Sequence, residues 1–336
     1  MESTLLATAR RIHVAQGFKK TKFFVLKYVQ YFPYSQRWVR FIDGYYGRYT
    51  GETAPIELVR TKFLRSFYSR KLSPVARLGK LKAHYDFLET HFRDHLIRTV
   101  LSGAEIRLAS LTGKGGGLYD IGLAQHPRYR AEGDLTLFLR RRGDDVALAA
   151  LTFSFASGVG SFASGGGGRP SLHIGGLQGP QADDGKQRVV DATRDLNGLR
   201  PKGAVLSALY DLAAVLGATD IEAVGMVNHP LNDRRHAVFA DNDSFWAEQG
   251  AQALSGGDFR LPARLPQRAL EEVPAKKRKD WLARNALRET VTAQVTPMLR
   301  SWFRVNEAAR PDEDIRPYLI PAGQPLYGDF ELFPAE

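Results

Sequence analysis

Two neighbouring stretches constrain the fold of this 336-residue chain more than any others: LHIGGLQGP at 172–180 and LRPKGAVLSALYDLAAVLGATDI at 199–221. Read in order they give a strand, a glycine-rich turn, two helices and a buried strand. The strand is expected over 172–177, with Leu172 and Ile174 on the face opposite His173 and Leu177. Gly175, Gly176 and Gly179 then break its regularity. A polar helix follows over 183–196, where Asp183 and Asp184 suit the positive end of the helix dipole. Gly198 stops it, and Pro201 opens the next helix in its first turn. Val205, Ala208, Leu209, Leu212, Val215 and Leu216 form the buried stripe of that helix, which Gly217 ends. The run IEAVGMV at 221–227 is nearly all apolar, as a strand covered on both faces must be. Asn228, His229 and Pro230 follow at its carboxyl end.

The rest of the chain divides around this segment. Helices are expected over 3–16, 56–68 and 75–100, with turns at Pro33, Gly44 and Gly47 in the aromatic stretch between the first two. Short strands are expected over 105–111, 118–125, 135–139 and 146–156, the last two joined as a hairpin around Gly143. A glycine-rich loop spans 157–169. A long helix covers 276–295, Pro297 interrupts it, and an acidic, proline-rich tail begins at Arg310. These elements predict an α+β protein. A basic helical N-terminal region (1–100) packs on a mixed, mainly antiparallel sheet with flanking helices (101–305), followed by the tail (306–336).

Composition removes several classes of function. With no cysteine the chain has no disulfide, iron–sulfur cluster, thiolate zinc site or cysteine nucleophile. No stretch reaches the roughly 20 apolar residues that span a bilayer. The N-terminus lacks the basic-then-apolar order of a secretory leader, which points to the cytoplasm. The net charge of +11 is unevenly placed. Residues 1–100 carry 19 Lys and Arg against 7 Asp and Glu, and hold 18 of the 36 aromatic side chains. A helical subdomain with solvated charges accommodates this pattern. So does contact with an anionic membrane surface or, behind it, a nucleic acid.

Several residues could carry chemistry. Gly175, Gly176, Gln178 and Gly179 let backbone amides approach an anion such as a coenzyme pyrophosphate, or simply form a tight turn. Arg200 and Lys202 flank a helix start, where a phosphate or carboxylate could sit between them and the amides. His229, at the end of a buried strand, stands where α/β sheets place their sites, and would serve as a general base for a small-molecule substrate; a hydrogen-bonded turn histidine is the plainer reading. Glu132 and Asp243 are further acid–base candidates, each equally a cap or surface partner. No metal is expected, since the eight histidines contain no HExxH and His91 and His95 alone do not make a site.

Taken together, LHIGGLQGP, GLRPKGAVLSALYDLAAVLG, IEAVGMVNHP and DNDSFWAEQGA resemble the VirK/YbjX family of bacterial proteins, and RYRAEGDLTLFL, ALTFSF and KKRKDWLAR are similar to further blocks in the same order. The resemblance covers about 50–295. It implies a cytoplasmic or membrane-associated protein linked to envelope integrity, antimicrobial-peptide resistance or virulence, and it brings no catalytic residues with it. A fainter similarity joins the strand–glycine–helix–strand core to the GCN5-related N-acyltransferases, in which the turn before the helix holds the pyrophosphate of an acyl-coenzyme A. The usual Q/R-x-x-G-x-G/A pattern is absent at 175–180. That similarity implies an acyl-coenzyme A-dependent acyltransferase peripheral to the inner membrane.

Overall fold

A computed structural model describes residues 4–50, 56–157, 170–232, 241–304 and 319–320. Five helices build the N-terminal region: α1 (Thr4–Gln30), α2 (Phe32–Tyr49), α3 (Ile56–Thr61), α4 (Pro74–His91) and α5 (Asp94–Leu101). Gly17 breaks α1 at a φ of 77°, so the first helical stretch ends where the sequence places its end and a second runs on to Gln30. The turns expected at Gly44 and Gly47 do not form. Trp38, Ile42, Tyr45 and Tyr46 in α2 are fully buried at helical spacing. Burying such side chains is worth about 1.5–3 kcal/mol each, more than the ~1 kcal/mol a helical glycine costs.

Two other expected helices are shorter than their patterns. The one read over 75–100 is divided at Phe92, which turns extended and pairs with Phe303. The Arg93 N–H then donates to the Trp302 carbonyl at 3.0 Å. The helix read over 56–68 stops at Thr61, passes through a 3-10 turn (Lys62–Leu64), and reaches Tyr68 at a φ of 64°.

The strands are β1 (Ile106–Thr112), β2 (Leu118–Ala124), β3 (Leu135–Arg141), β4 (Ala147–Ser157) and β5 (Pro170–Gln178). After α6 (Gly185–Asp195) and α7 (Pro201–Leu216) comes β6 (Asp220–Ala223). Then follow α8 (Asn242–Glu248), β7 (Gln252–Ala253), β8 (Phe259–Leu261) and α9 (Arg278–Trp302). Together the strands form one eight-stranded sheet in the order β1-β2-β3-β4-β5-β6-β8-β7. Every neighbouring pair is antiparallel except β5–β6, which α6 and α7 join. This is the mainly antiparallel α+β architecture the sequence predicts.

Helix α4 lies against β4, while α7 lies against β3 and β4, with α9 beside it and against β1. A continuous apolar cluster runs from Ile12 to Phe303, so the N-terminal helices share a core with the sheet. Three boundaries differ from expectation. Strand β5 keeps its glycines inside it, β6 ends at Ala223, and α9 continues through Pro297 to Trp302. The loop expected over 157–169 lies outside the described residues from 158 on, as does the tail apart from 319–320.

Candidate functional site

The 3-10 turn Pro127–Tyr129 leads the chain from β2 towards β3, and Glu132 closes it by donating its N–H to the Tyr129 carbonyl at 2.9 Å. This brings Glu132 over β5. A methyl group on Gly175 would collide with the Glu132 carbonyl oxygen, and one on Gly176 with the Glu132 carboxylate. The two glycines are thus explained by close approach. The β4–β5 register shifts here, with Gly176 opposite Thr152 and Ile174 opposite Phe153, so Gly175 is a bulge residue.

Three side chains meet above those glycines. The Gln178 amide donates to Glu132 Oε1 at 2.6 Å. His229 Nε2 stands 3.3 Å from the same oxygen, and both residues are only 1 % exposed. The Leu231 N–H donates to His229 Nδ1 at 3.3 Å, so Nδ1 is the acceptor and Nε2 is the nitrogen that faces the carboxylate. Among the described residues, Glu132 Oε2 and His229 Nε2 nevertheless have no aligned hydrogen-bond partner. A buried group left so costs about 1–3 kcal/mol.

The cluster sits where the parallel strands part. Pairing of β5 with β6 ends at Ile174–Ala223, and the Val224 N–H makes a last bond to the Ile174 carbonyl at 2.9 Å. Strand β6 then leaves through Gly225, whose N–H is taken by Asp258 Oδ1 at 3.1 Å, and a 3-10 turn (Met226–Asn228) delivers His229. Strand β5 runs on to Gln178, so among the described residues its backbone beyond Ile174 has no strand on the β6 side. The segment after α3 covers this region. The Tyr68 N–H donates to the Ala131 carbonyl at 2.7 Å, the Arg70 N–H to the Asn228 carbonyl at 2.8 Å, and the Arg70 guanidinium to the Asn232 carbonyl.

A second polar cluster lies one residue away. Lys62 Nζ is 2.7 Å from Asp134 Oδ1 and 2.8 Å from the Gly133 carbonyl, and Ser154 donates to Asp134 Oδ2 at 2.8 Å. Burial pushes the Lys62 ammonium down, against the attraction of Asp134. For Asp134 burial acts upward, but Lys62, His84 and the hydrogen bonds outweigh it and hold the carboxyl below its usual range. His84, fully buried, accepts the Phe155 N–H on Nδ1 at 3.2 Å, and burial holds it neutral, pushed down to about 4.

A third group surrounds His173. Its Nδ1 lies 3.0 Å from the Tyr68 hydroxyl and 3.1 Å from Lys80 Nζ, and burial, with Lys80, pushes its pKa down to about 3.

The remaining candidates stand apart. A side chain at Gly179 would meet open space. Arg200 is the N-cap of α7 and pairs with Glu248 at 2.6 Å, while Lys202 donates to Asn242 Oδ1 at 3.1 Å. Asp243 accepts the Met226 N–H at 2.8 Å, so it holds the turn that carries His229. Of the residues singled out from sequence, then, Glu132, His229, Gln178, Gly175 and Gly176 come together, and Gly179, Arg200, Lys202 and Asp243 do not join their contact. Lys62, Asp134 and His84 carry no sequence motif. Lys62 lies in an apolar run (KFL), which was the one available hint.

Among the described residues no three His, Asp or Glu side chains gather in a way that could hold a metal ion, and no helix is long and apolar enough to cross a membrane.

Fold and site define a mixed α+β protein with a buried carboxylate–imidazole pair at the parting of its parallel strands. Residues 14–297 match the family described as "Protein of unknown function (DUF535)", and the chain belongs to that family. It is 27 % identical over 241 residues to the uncharacterized protein YbjX of Escherichia coli K12, covering 70 % of each chain. An uncharacterized protein of Haemophilus influenzae is 29 % identical over 112 residues, which is 32 % of this chain and 37 % of the relative. The family is the one its motifs pointed to.

Proposed function

We propose that this protein transfers an acyl group from acyl-coenzyme A to an amine or hydroxyl, with Glu132 as proton acceptor. The observation that carries this reading is the Glu132–His229–Gln178 cluster at the head of the gap between β5 and β6. An extended, amide-bearing chain such as the arm of coenzyme A would pair with the unpartnered backbone of β5 as an added strand does. In that reading Glu132 Oε2, which lacks a donor, takes the proton of the acceptor group. The acceptor's lone pair forms a bond to the thioester carbonyl carbon, the carbon–sulfur bond breaks, and the departing thiolate takes the proton back. His229 then positions the carboxylate through Oε1 instead of serving as the base itself. Movement of the segment around Tyr68–Arg70 would open the way to the carboxylate. The turn before α6 holds Asp183 and Asp184, both exposed, so charge there does not favour a pyrophosphate.

The test is thermal unfolding with acetyl-, octanoyl- and palmitoyl-coenzyme A. Saturable stabilisation is expected, by about 2.7 kcal/mol at a ligand concentration a hundred times the dissociation constant. No shift with any member of the panel would remove the reading.

A second reading concerns where the protein works. Of the ten large apolar side chains exposed among the described residues, seven lie between Leu6 and Tyr34, including Val14 at 87 % and Phe18 at 69 %. Phe18, Leu26 and Val29 share one side of the second half of α1 with the exposed Lys22. Apolar rings among ammonium groups suit the surface of an anionic bilayer. Co-sedimentation with phosphatidylglycerol vesicles, weakened by salt and by Phe18→Ser/Leu26→Ser, is expected. Equal binding to neutral phosphatidylcholine vesicles would contradict it.

A further inference from the structure

A cavity of about 560 Å³ opens beside the start of α7, between α8, the segment that follows β8, and the first turns of α9. Its volume is in the range of small-molecule sites, about 300–1,000 Å³. None of Glu132, His229 or Gly175–Gly179 lines it, so it is separate from the site above.

Its walls are strongly cationic. Arg200, Arg268, Lys277, Arg284 and Arg288 line it, against the single carboxylate of Asp280. Arg200 is paired with Glu248, but among the described residues none of the other four cations is in an ion pair. Arg288 reaches Asn285 Oδ1 at 3.4 Å through one terminal nitrogen, and among the described residues its buried Nε has no hydrogen-bond partner. Burial, and after it the neighbouring Arg284 and Arg200, push the Arg288 guanidinium down. Like charges crowded on one cavity raise the free energy of the empty protein, and an anion relieves it.

The backbone adds to this. Arg200 caps α7 without a side-chain hydrogen bond, Pro201 follows it, and Gly203 lines the cavity, so the start of a sixteen-residue helix, its positive end, forms part of the wall. Trp281 supplies a flat apolar wall.

We propose that this cavity binds a small molecule bearing a diphosphate. Four unpaired cations outnumber what one carboxylate ligand would neutralise, and guanidinium forks match phosphoryl oxygens two at a time.

Isothermal titration of the full chain with sodium pyrophosphate and with ADP tests it. Saturable binding of both is expected, with quenching or enhancement of Trp281 fluorescence that Trp281→Phe abolishes. Arg284→Glu should raise the dissociation constant at least tenfold and Arg284→Lys less, while Lys186→Ala on α6, which does not line the cavity, leaves it unchanged. If Arg284→Glu does not fold, the Arg284→Lys and Arg288→Gln comparison decides. Absence of pyrophosphate and ADP binding would overturn the proposal. So would affinity indifferent to the arginine variants, or binding confined to short-chain phosphatidic acid. Pyrophosphate and ADP carry no acyl group, so their binding tests this cavity alone; stabilisation by acyl-coenzyme A that persists in Arg284→Glu and is lost in Glu132→Gln belongs to the proposed reaction, and the reverse pattern belongs to the cavity.

Discussion

Glu132 and Asp134 flank a single glycine and are equally buried, yet the chain treats their carboxylates in opposite ways. Asp134 is saturated: Lys62 and Ser154 take its two oxygens, and the Lys62 ammonium also reaches the Gly133 carbonyl. Glu132 has Gln178 on one oxygen and, among the described residues, no hydrogen-bond partner on the other, while its imidazole neighbour is close but unaligned. A satisfied buried network holds structure, whereas a buried polar atom left open costs stability and calls for an explanation. Lys62–Asp134 is thus a satisfied part of the fold, and the half-open Glu132–His229 pair is what the proposed function rests on.

Breaking the saturated side should have the largest effect. Lys62→Met leaves Asp134 charged and unpaired, and loss of one partner of a buried pair costs about 3–5 kcal/mol. Urea unfolding should show it, and Lys62→Met/Asp134→Leu should recover much of the loss. A single variant as stable as the parent would erase the contrast.

Acid sharpens the same side. His84 has a folded pKa near 4 against 6.5 when free, so the unfolded chain binds the proton more readily. Its contribution is therefore fully present above pH 6.5 and is lost as pH falls towards 4, with a ceiling of about 3 kcal/mol. His84→Gln should flatten the stability profile across that window. An unchanged slope would place the acid sensitivity elsewhere.

Gly175→Ala probes the boundary between the two. Its methyl group must displace the Glu132 backbone, at about 1–3 kcal/mol. Gly176→Ala meets only the carboxylate end and should cost less stability, though it too disturbs Glu132. The reverse order would mean that the loop moves more easily than the side chain.

Much of this contrast was legible in the sequence, for reasons that differ by residue. Glycines inside a strand signal close backbone approach, and a histidine at a strand's carboxyl end signals a site, so Gly175, Gly176 and His229 could be singled out. Which carboxylate the glycines accommodate depends on a loop from a different part of the chain, and only tertiary packing supplies it. The same holds for α2, where a buried aromatic stripe overrides two glycines that locally read as turns. Lys62 and His84 were hidden because a buried polar side chain looks, in sequence, like one at the surface. The α7 segment shows the opposite case: Arg200 was visible as an anion partner, but the arginines opposite it come from α9, about 85 residues later.

The smallest effect on stability and the largest on function should fall on one variant. Glu132→Gln keeps the size of the side chain and an oxygen for the Gln178 amide, and its unfolding free energy should stay within about 1 kcal/mol of the parent. The decisive measurement is release of coenzyme A thiol from acyl-coenzyme A in the presence of an envelope extract, read on a protein that has no cysteine to contribute background. The account predicts turnover by the parent chain and at least a hundredfold loss in the equally stable Glu132→Gln. Equal rates in the two proteins, or no thiol release by the parent, would contradict it.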